Sequence, residues 1–188
     1  MLNELVKEIN SQVSGANAVA FIPEDTKKLD GSITVEAGKL RDVVKVIKKS
    51  FNALQVISGV DYVDYIEVCY MFCNFDPSNP RDLTLKVKVT DRVNGEVDSI
   101  CDLYPAANYQ ERECFDMLGV TFKNHPDHRR ILCPDDWQGF PLRKDYVAQK
   151  YYRGMEVYPD SKMNMNDREF IVRQEMIKKA QAQTSTPQ

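Results

Sequence analysis

Two pairs of side chains in this 188-residue chain have the chemistry of metal ligands: Cys69 with Cys73, and His125 with His128. The cysteines fall in a stretch of strand character, where four residue rises separate them by about 13 Å, too far to share one ion. His125 and His128 flank Pro126 in a loop, and a metal there needs two further donors that the sequence does not place. The chain has no CxxC pair, GxSxG elbow, GxGxxG turn or phosphate loop. Cys114, beside Phe115 on a helical stretch, reads as a small buried thiol rather than a nucleophile. Glu111 and Glu113 share that stretch but point to different faces, whereas carboxylates that work as an acid-base pair converge on one space. Asp135-Asp136 before Trp137 reads as a capped turn.

A second chemistry lies in Arg129-Arg130 and Arg143-Lys144, interleaved with Trp137, Phe140 and Tyr146. Basic residues among aromatics can hold single-stranded nucleic acid. Residues 123 to 153, however, hold seven Lys or Arg against four Asp, and the whole chain has a formal charge of -3. That balance argues against a nucleic-acid binder. Arginines and aromatics with mixed signs fit a protein interface better.

The elements that must position these groups follow from periodicity. Leu2, Leu5, Val6, Ile9 and Val13 predict an amphipathic helix over 2–14 ended by Gly15, and Leu40, Val43, Val44, Ile47 and Phe51 predict a second. Arg41, Lys45, Lys48 and Lys49 line the outer face of the second helix and read as solvated. Short strands are expected at 18–22 and 32–36, around a charged loop at 23–31. From residue 54 the period changes to two, giving strands at 54–58, 65–75 and 83–90. Asn94-Gly95 then predicts a tight turn, with 97–103 returning antiparallel. Asn108 to Leu118 is helix-competent, with Glu111 three places after Asn108 as in a capping box and Gly119 at its end. Beyond it, Pro126, Pro134 and Pro141 exclude one long helix and leave an irregular, extended charged strap. Residues 151–158 read as irregular. A last helix over 167–180 has a narrow stripe of Phe170, Ile171, Met176 and Ile177, and 184–188 reads as disordered.

The fold class is therefore α+β, a largely antiparallel sheet packed with helices, followed by a charged strap and tail. The expected divisions are a core domain over 1–122, the strap over 123–150 and the tail over 151–188. The N-terminal helix, broken by Glu4, Lys7 and Glu8, does not read as a secretory signal, and no stretch approaches the roughly 20 apolar residues of a membrane span. Five cysteines, an odd number scattered among strands and a helix, suit reduced thiols.

The segment from Glu111 onward resembles the family of the 30-kilodalton subunit, or C subunit, of the proton-translocating NADH-quinone oxidoreductase, complex I. The family signature is met by Glu111-Arg112-Glu113, Asp116, Met117-Leu118, His125, Arg129 and Ile131-Leu132. Gly119, Phe122, Pro126, Asp127 and Arg130 are also similar, as are Gly139 to Tyr146 (GFPLRKDY) and an upstream GVDY at 59–62, so the likeness covers roughly residues 54 to 150. His128 stands where the family usually has leucine, and Phe140 where histidine or tyrosine is common. The first fifty residues and the tail after Lys150 carry no motif of the family.

The resemblance implies a peripheral-arm subunit with no cofactor, metal or catalytic residue of its own. Flavin, iron-sulfur clusters and quinone would belong to partner subunits, with the D, B and I subunits as neighbours, on the cytoplasmic side of a bacterial inner membrane. Glu111, Arg112, Glu113, Asp116, His125, Arg129, Arg130, Arg143, Lys144 and Asp145 would be signature and interface residues. The alternative is the equivalent subunit of a related membrane-bound hydrogenase or of a complex fed by ferredoxin or a deazaflavin.

Overall fold

The computed structural model describes residues 2–21, 31–76 and 81–157. The expected helix over 167–180, the disordered 184–188 and most of the loop 23–31 lie outside the described residues. The chain forms two compact units, Met1–Lys144 and Asp145–Gln188.

In the first unit, α1 (Leu2–Gln12), β1 (Val19–Phe21), β2 (Ser32–Glu36) and α2 (Leu40–Ile47) precede the long strands β3 (Ala53–Asp61), β4 (Ile66–Asn74) and β5 (Arg81–Val89). These strands build one sheet in the order β1-β2-β5-β4-β3. Only the β2–β5 contact is parallel, as the crossover through α2 requires, so the sheet is largely antiparallel and the class is α+β as expected. Register puts Ile33, Leu85, Tyr70 and Ile57 in one row, and Leu83, Phe72 and Leu54 in the next. All of these are buried in one cluster with Ile9 of α1 and Leu40, Val43, Val44 and Ile47 of α2. Each large apolar side chain buried there contributes about 1.5–3 kcal/mol. The opposite row, Glu67, Cys69, Met71, Thr84 and Lys86, is half-exposed, which accounts for the alternation legible in the sequence.

Helix α3 (Ala107–Leu118) closes the cluster with Cys114 and Leu118. It crosses β3 at Gly59, where any Cβ would collide with Leu118. Gln110 also seals the β3 edge at a bulge: its Oε1 accepts from Ile57 N–H and its Nε2 donates to Gln55 O at 3.4 Å.

Four local expectations are corrected. Asn94-Gly95 makes no hairpin, since neither residue has a positive φ. Instead the Asp91 carboxylate accepts the N–H groups of Val93 and Asn94, starting an Asx-type turn earlier that leads the chain off the sheet. The returning segment, β6 (Glu96–Asp98), pairs parallel with β7 (Thr121–Lys123) rather than antiparallel with β5. The capping box also fails: α3 starts at Ala107 with Ala106 as an N-cap making no side-chain bond, and Glu111 is engaged elsewhere. In the second unit, the run read as irregular over 151–158 is described as far as residue 157 and holds a short hairpin, because Arg153 and Gly154 both take left-handed φ and turn β8 (Tyr151–Tyr152) into β9 (Met155–Glu156).

Candidate functional site

The charged signature lies along α3 and on the loop that follows β7. Asp116, fully buried, gathers that loop: its Oδ2 accepts N–H groups from Ile131, Leu132 and Cys133 at 3.1, 2.7 and 2.8 Å, and its Oδ1 accepts from Arg130 at 2.7 Å. Burial pushes its pKa up, but the amides of Cys133 and Leu132, the Arg130 guanidinium and the Ile131 amide outweigh it and hold the carboxyl below the usual range. One turn earlier, Arg112 donates to the carbonyls of Arg129 (3.1 Å) and Arg130 (3.4 Å) and pairs with Asp127 at 3.1 Å. The charges alternate along one helix face because the loop presents amides to Asp116 and carbonyls to Arg112.

The helix end is closed by the distal strap. Gly119 takes φ 74°, the left-handed end read from the sequence. The Arg143 guanidinium donates to Leu118 O (2.5 Å) and Gly119 O (3.4 Å), and Leu142 N–H donates to Met117 O at 3.0 Å. A cation on the last carbonyls complements the helix dipole. Phe140 lies beneath both cations, Arg143 at 4.5 Å and Arg130 at 5.2 Å from its ring centroid. The strap's Lys144 is tied to the β3–β4 turn, where buried Asp61 accepts Lys144 N–H (2.8 Å), Val63 N–H (2.8 Å) and Arg92 (2.6 Å).

Glu111 is also fully buried; it accepts Ile100 N–H at 2.8 Å and the Cys101 thiol at 3.3 Å, and lies 3.9 Å from His125 Nε2. Desolvation raises its pKa against the opposing bonds from Ile100, Ser99 and Cys101 and the charge of His125. Cys101, Glu111 and His125 are the group among the described residues whose atoms could surround a metal, and they supply the two donors that the sequence did not place beside His125. The imidazole is in the wrong tautomer for that role. Asp127 N–H donates to Nδ1 at 3.0 Å, which puts the ring proton on Nε2, facing Asn108 O at 3.0 Å. A proton-bearing Nε2 has no lone pair for an ion. Nor are the thiols activated: burial pushes Cys101 and Cys114 to about 12 and Cys69 to about 11, so each is a protonated thiol at neutral pH.

Glu111→Gln should report on this arrangement. A raised folded pKa is an advantage below the unfolded value of 4.5 and a penalty as pH rises through it, and glutamine removes the penalty while keeping an acceptor for Ile100. Denaturant titrations should therefore show the variant gaining on the parent from pH 4.5 to 7, to within about 1 kcal/mol of it or better. A variant that loses ground over that range would mean an ionised Glu111.

The structure thus brings Glu111, Arg112, Asp116, His125, Arg130 and Arg143 inward, onto their own chain. Glu113 is exposed, as is Arg129 at 69% of its side chain, and Lys144 and Asp145 are exposed too. Sequence reasoning missed Asp61, Arg92 and the Ser99–Cys101 turn as partners in this network. The one signal was the acid of GVDY, a carboxylate set between Val60 and Tyr62 at the end of the edge strand β3.

Comparison with known proteins places the chain. Residues 33–152 match the family model described as "Respiratory-chain NADH dehydrogenase, 30 Kd subunit", a match that starts earlier than the motifs suggested and takes in β2 and α2. The C subunit of NADH-quinone oxidoreductase from Chlorobium phaeobacteroides is 44% identical over 111 residues, 58% of this chain and 66% of that protein, just under two thirds of its length. The protein of the same description from Moorella thermoacetica is 49% identical over 105 residues, 54% of this chain and 68% of its own. Among solved structures, a chain of the membrane-bound sulfane sulfur reductase, an archaeal respiratory membrane complex, shares the fold. Its TM-score is 0.65 at 24% identity, covering 86% of this chain and 97% of that one.

Proposed function

Because this chain belongs to the family of the respiratory-chain NADH dehydrogenase 30 Kd subunit, we propose that it is a cofactor-free peripheral-arm subunit of a proton-translocating NADH-quinone oxidoreductase. It scaffolds the quinone-reducing module, with electrons passing from NADH through flavin and iron-sulfur clusters in other subunits to quinone. The observation that carries this reading is the use made of the signature. Its charges fasten a loop and the strap to a helix through Asp116, Arg112 and Arg143, each bonded to groups of its own chain. Electron transfer between subunits requires fixed separations, and a backbone pinned at so many points gives neighbours a rigid surface. Tyr109, Leu132 and Leu142 stand more than 60% exposed on it, as large apolar side chains at a protein interface would. Among the described residues no helix is long and apolar enough to cross a membrane, which fits attachment through partner subunits. The D, B and I subunits are the partners, on the cytoplasmic face of the inner membrane.

The test is to purify the tagged chain from its own membranes. Subunits carrying flavin and iron-sulfur clusters should accompany it, and NADH-driven quinone reduction should be lost when the chain is deleted. Flavin-free partners, or activity only with hydrogen, ferredoxin or a deazaflavin, would move the chain to one of the related complexes. Docking is tested at outward positions: Lys144→Glu with Leu142→Glu should release a folded subunit, with a loss of more than about a hundredfold in affinity if a buried pair is broken. Reversal at Arg143 is the wrong test, because that side chain holds its own helix end.

A further inference from the structure

Among the described residues, His128 has no carboxylate within ion-pair distance of its ring, whereas His125, the other imidazole of the strap, has Glu111. The His128 Nε2 accepts Phe122 N–H at 3.1 Å, so the lone pair that would take a proton already holds the middle residue of β7. From α3, Phe115 covers the ring at 4.2 Å between centroids, and Phe140 packs edge-on against the same Phe115 at 6.3 Å. Among the described residues the titratable group facing it is His125 of the same loop, 5.9 Å away and T-shaped. His125 differs, since Glu111 lies 3.9 Å from its Nε2 and Asp127 sits beside it in turn, paired with Arg112 and Arg129. One histidine therefore has acids to answer a positive charge, whereas the other has an aromatic wall and a second histidine.

We propose that His128 is a proton-sensitive latch: a proton taken up on Nε2 expels the Phe122 N–H and loosens β7 and the start of the strap from α3. The step is a simple protonation in which the N–H···N bond is exchanged for an N–H cation facing an amide N–H, a donor against a donor. The latch is closed while the ring is neutral. Burial, followed by the charge of His125, lowers the affinity of the folded state for that proton, against a smaller opposing bond to the residue's own backbone. With the folded pKa below the unfolded 6.5, this contribution to stability is present above pH 6.5 and is lost as pH falls through the folded value. Since β7 pairs with β6, loosening spreads to the Glu96–Asp98 strand and the Ser99 amide, which donates to Lys123 O.

The experiment is a titration of the full chain by nuclear magnetic resonance from pH 8 to 5, following both imidazole Cε1–H signals and the Phe122 amide. His128 should titrate below 6.5, and exchange of the Phe122 amide, corrected for its intrinsic rate, should become several-fold faster as the ring charges. His128→Leu keeps an apolar side chain against Phe115 but cannot titrate, so exchange at Phe122 should no longer depend on pH. The latch is overturned if His128 titrates at or above 6.5, if Phe122 exchange ignores the titration, or if the leucine variant keeps the same pH dependence. Should that variant not fold, the two measurements on the unaltered chain decide alone.

Discussion

Asp116→Ala should cost about 3–5 kcal/mol of stability, the range for removing one partner from a buried, hydrogen-bonded charge pair. The substitution leaves the Ile131, Leu132 and Cys133 amides without their acceptor and the Arg130 guanidinium facing a neutral methyl group. For a chain of this size that corresponds to a fall of about 10 °C in Tm. Because the Asp116 pKa is lowered in the fold, its contribution is present above the unfolded value of 3.8 and disappears as pH falls through the folded one. Calorimetry of parent and variant should therefore show a gap that is wide at pH 7 and narrows in strong acid. A variant within about 1 kcal/mol of the parent at pH 7, or a gap that does not vary with acid, would mean that the strap is held by something else.

Gly119→Val should be the second large loss, by two routes that can be separated. At φ 74° an L side chain costs about 1–2 kcal/mol, and more for a β-branched one. Its Cβ also has to displace the Phe140 ring and the Arg143 guanidinium, overpacking of the kind that costs about 1–3 kcal/mol. Asparagine tolerates the left-handed backbone but brings the same Cβ. Gly119→Asn should thus recover part of the loss and not all of it. If the asparagine variant melts with the parent, crowding against Phe140 is not real; if it melts with valine, backbone strain contributes nothing.

Both positions show what a sequence can and cannot display. Gly119 is legible because a helix end is a local event, and so are α1, α2 and the long strands, whose periods record burial residue by residue. The use of Glu111 is not legible, because its partner Ile100 lies eleven residues upstream, outside the helix that a capping box would start. Asn94-Gly95 suggests a hairpin on its own, and the competing carboxylate of Asp91 decides the turn instead. The density of charge between Glu111 and Lys144 suggests a need for external partners. Many of those partners are inside the chain: Arg112 meets Asp127 across fifteen residues, and the Arg130 guanidinium meets Asp116 across fourteen. Periodicity reports which face of an element is buried; it carries no record of which distant backbone a buried carboxylate will hold.

The separation of Asp61 from the Lys144 amide also has a consequence for the order in which the molecule is made. Strands β3 to β5 can pair as soon as they leave the ribosome, but the Asp61 carboxylate then waits for an amide that is synthesised eighty-three residues later. Asp116 likewise waits for residues 131–133, and the end of α3 for Arg143. At synthesis rates of about 5–20 residues per second, a nascent chain spends seconds with its sheet assembled and its buried acids still hydrated. Completion of the first unit is thus tied to the arrival of its final residues, and a chain cut short before Lys144 would leave the Asp61 carboxylate with the Val63 amide and Arg92 but without its third donor.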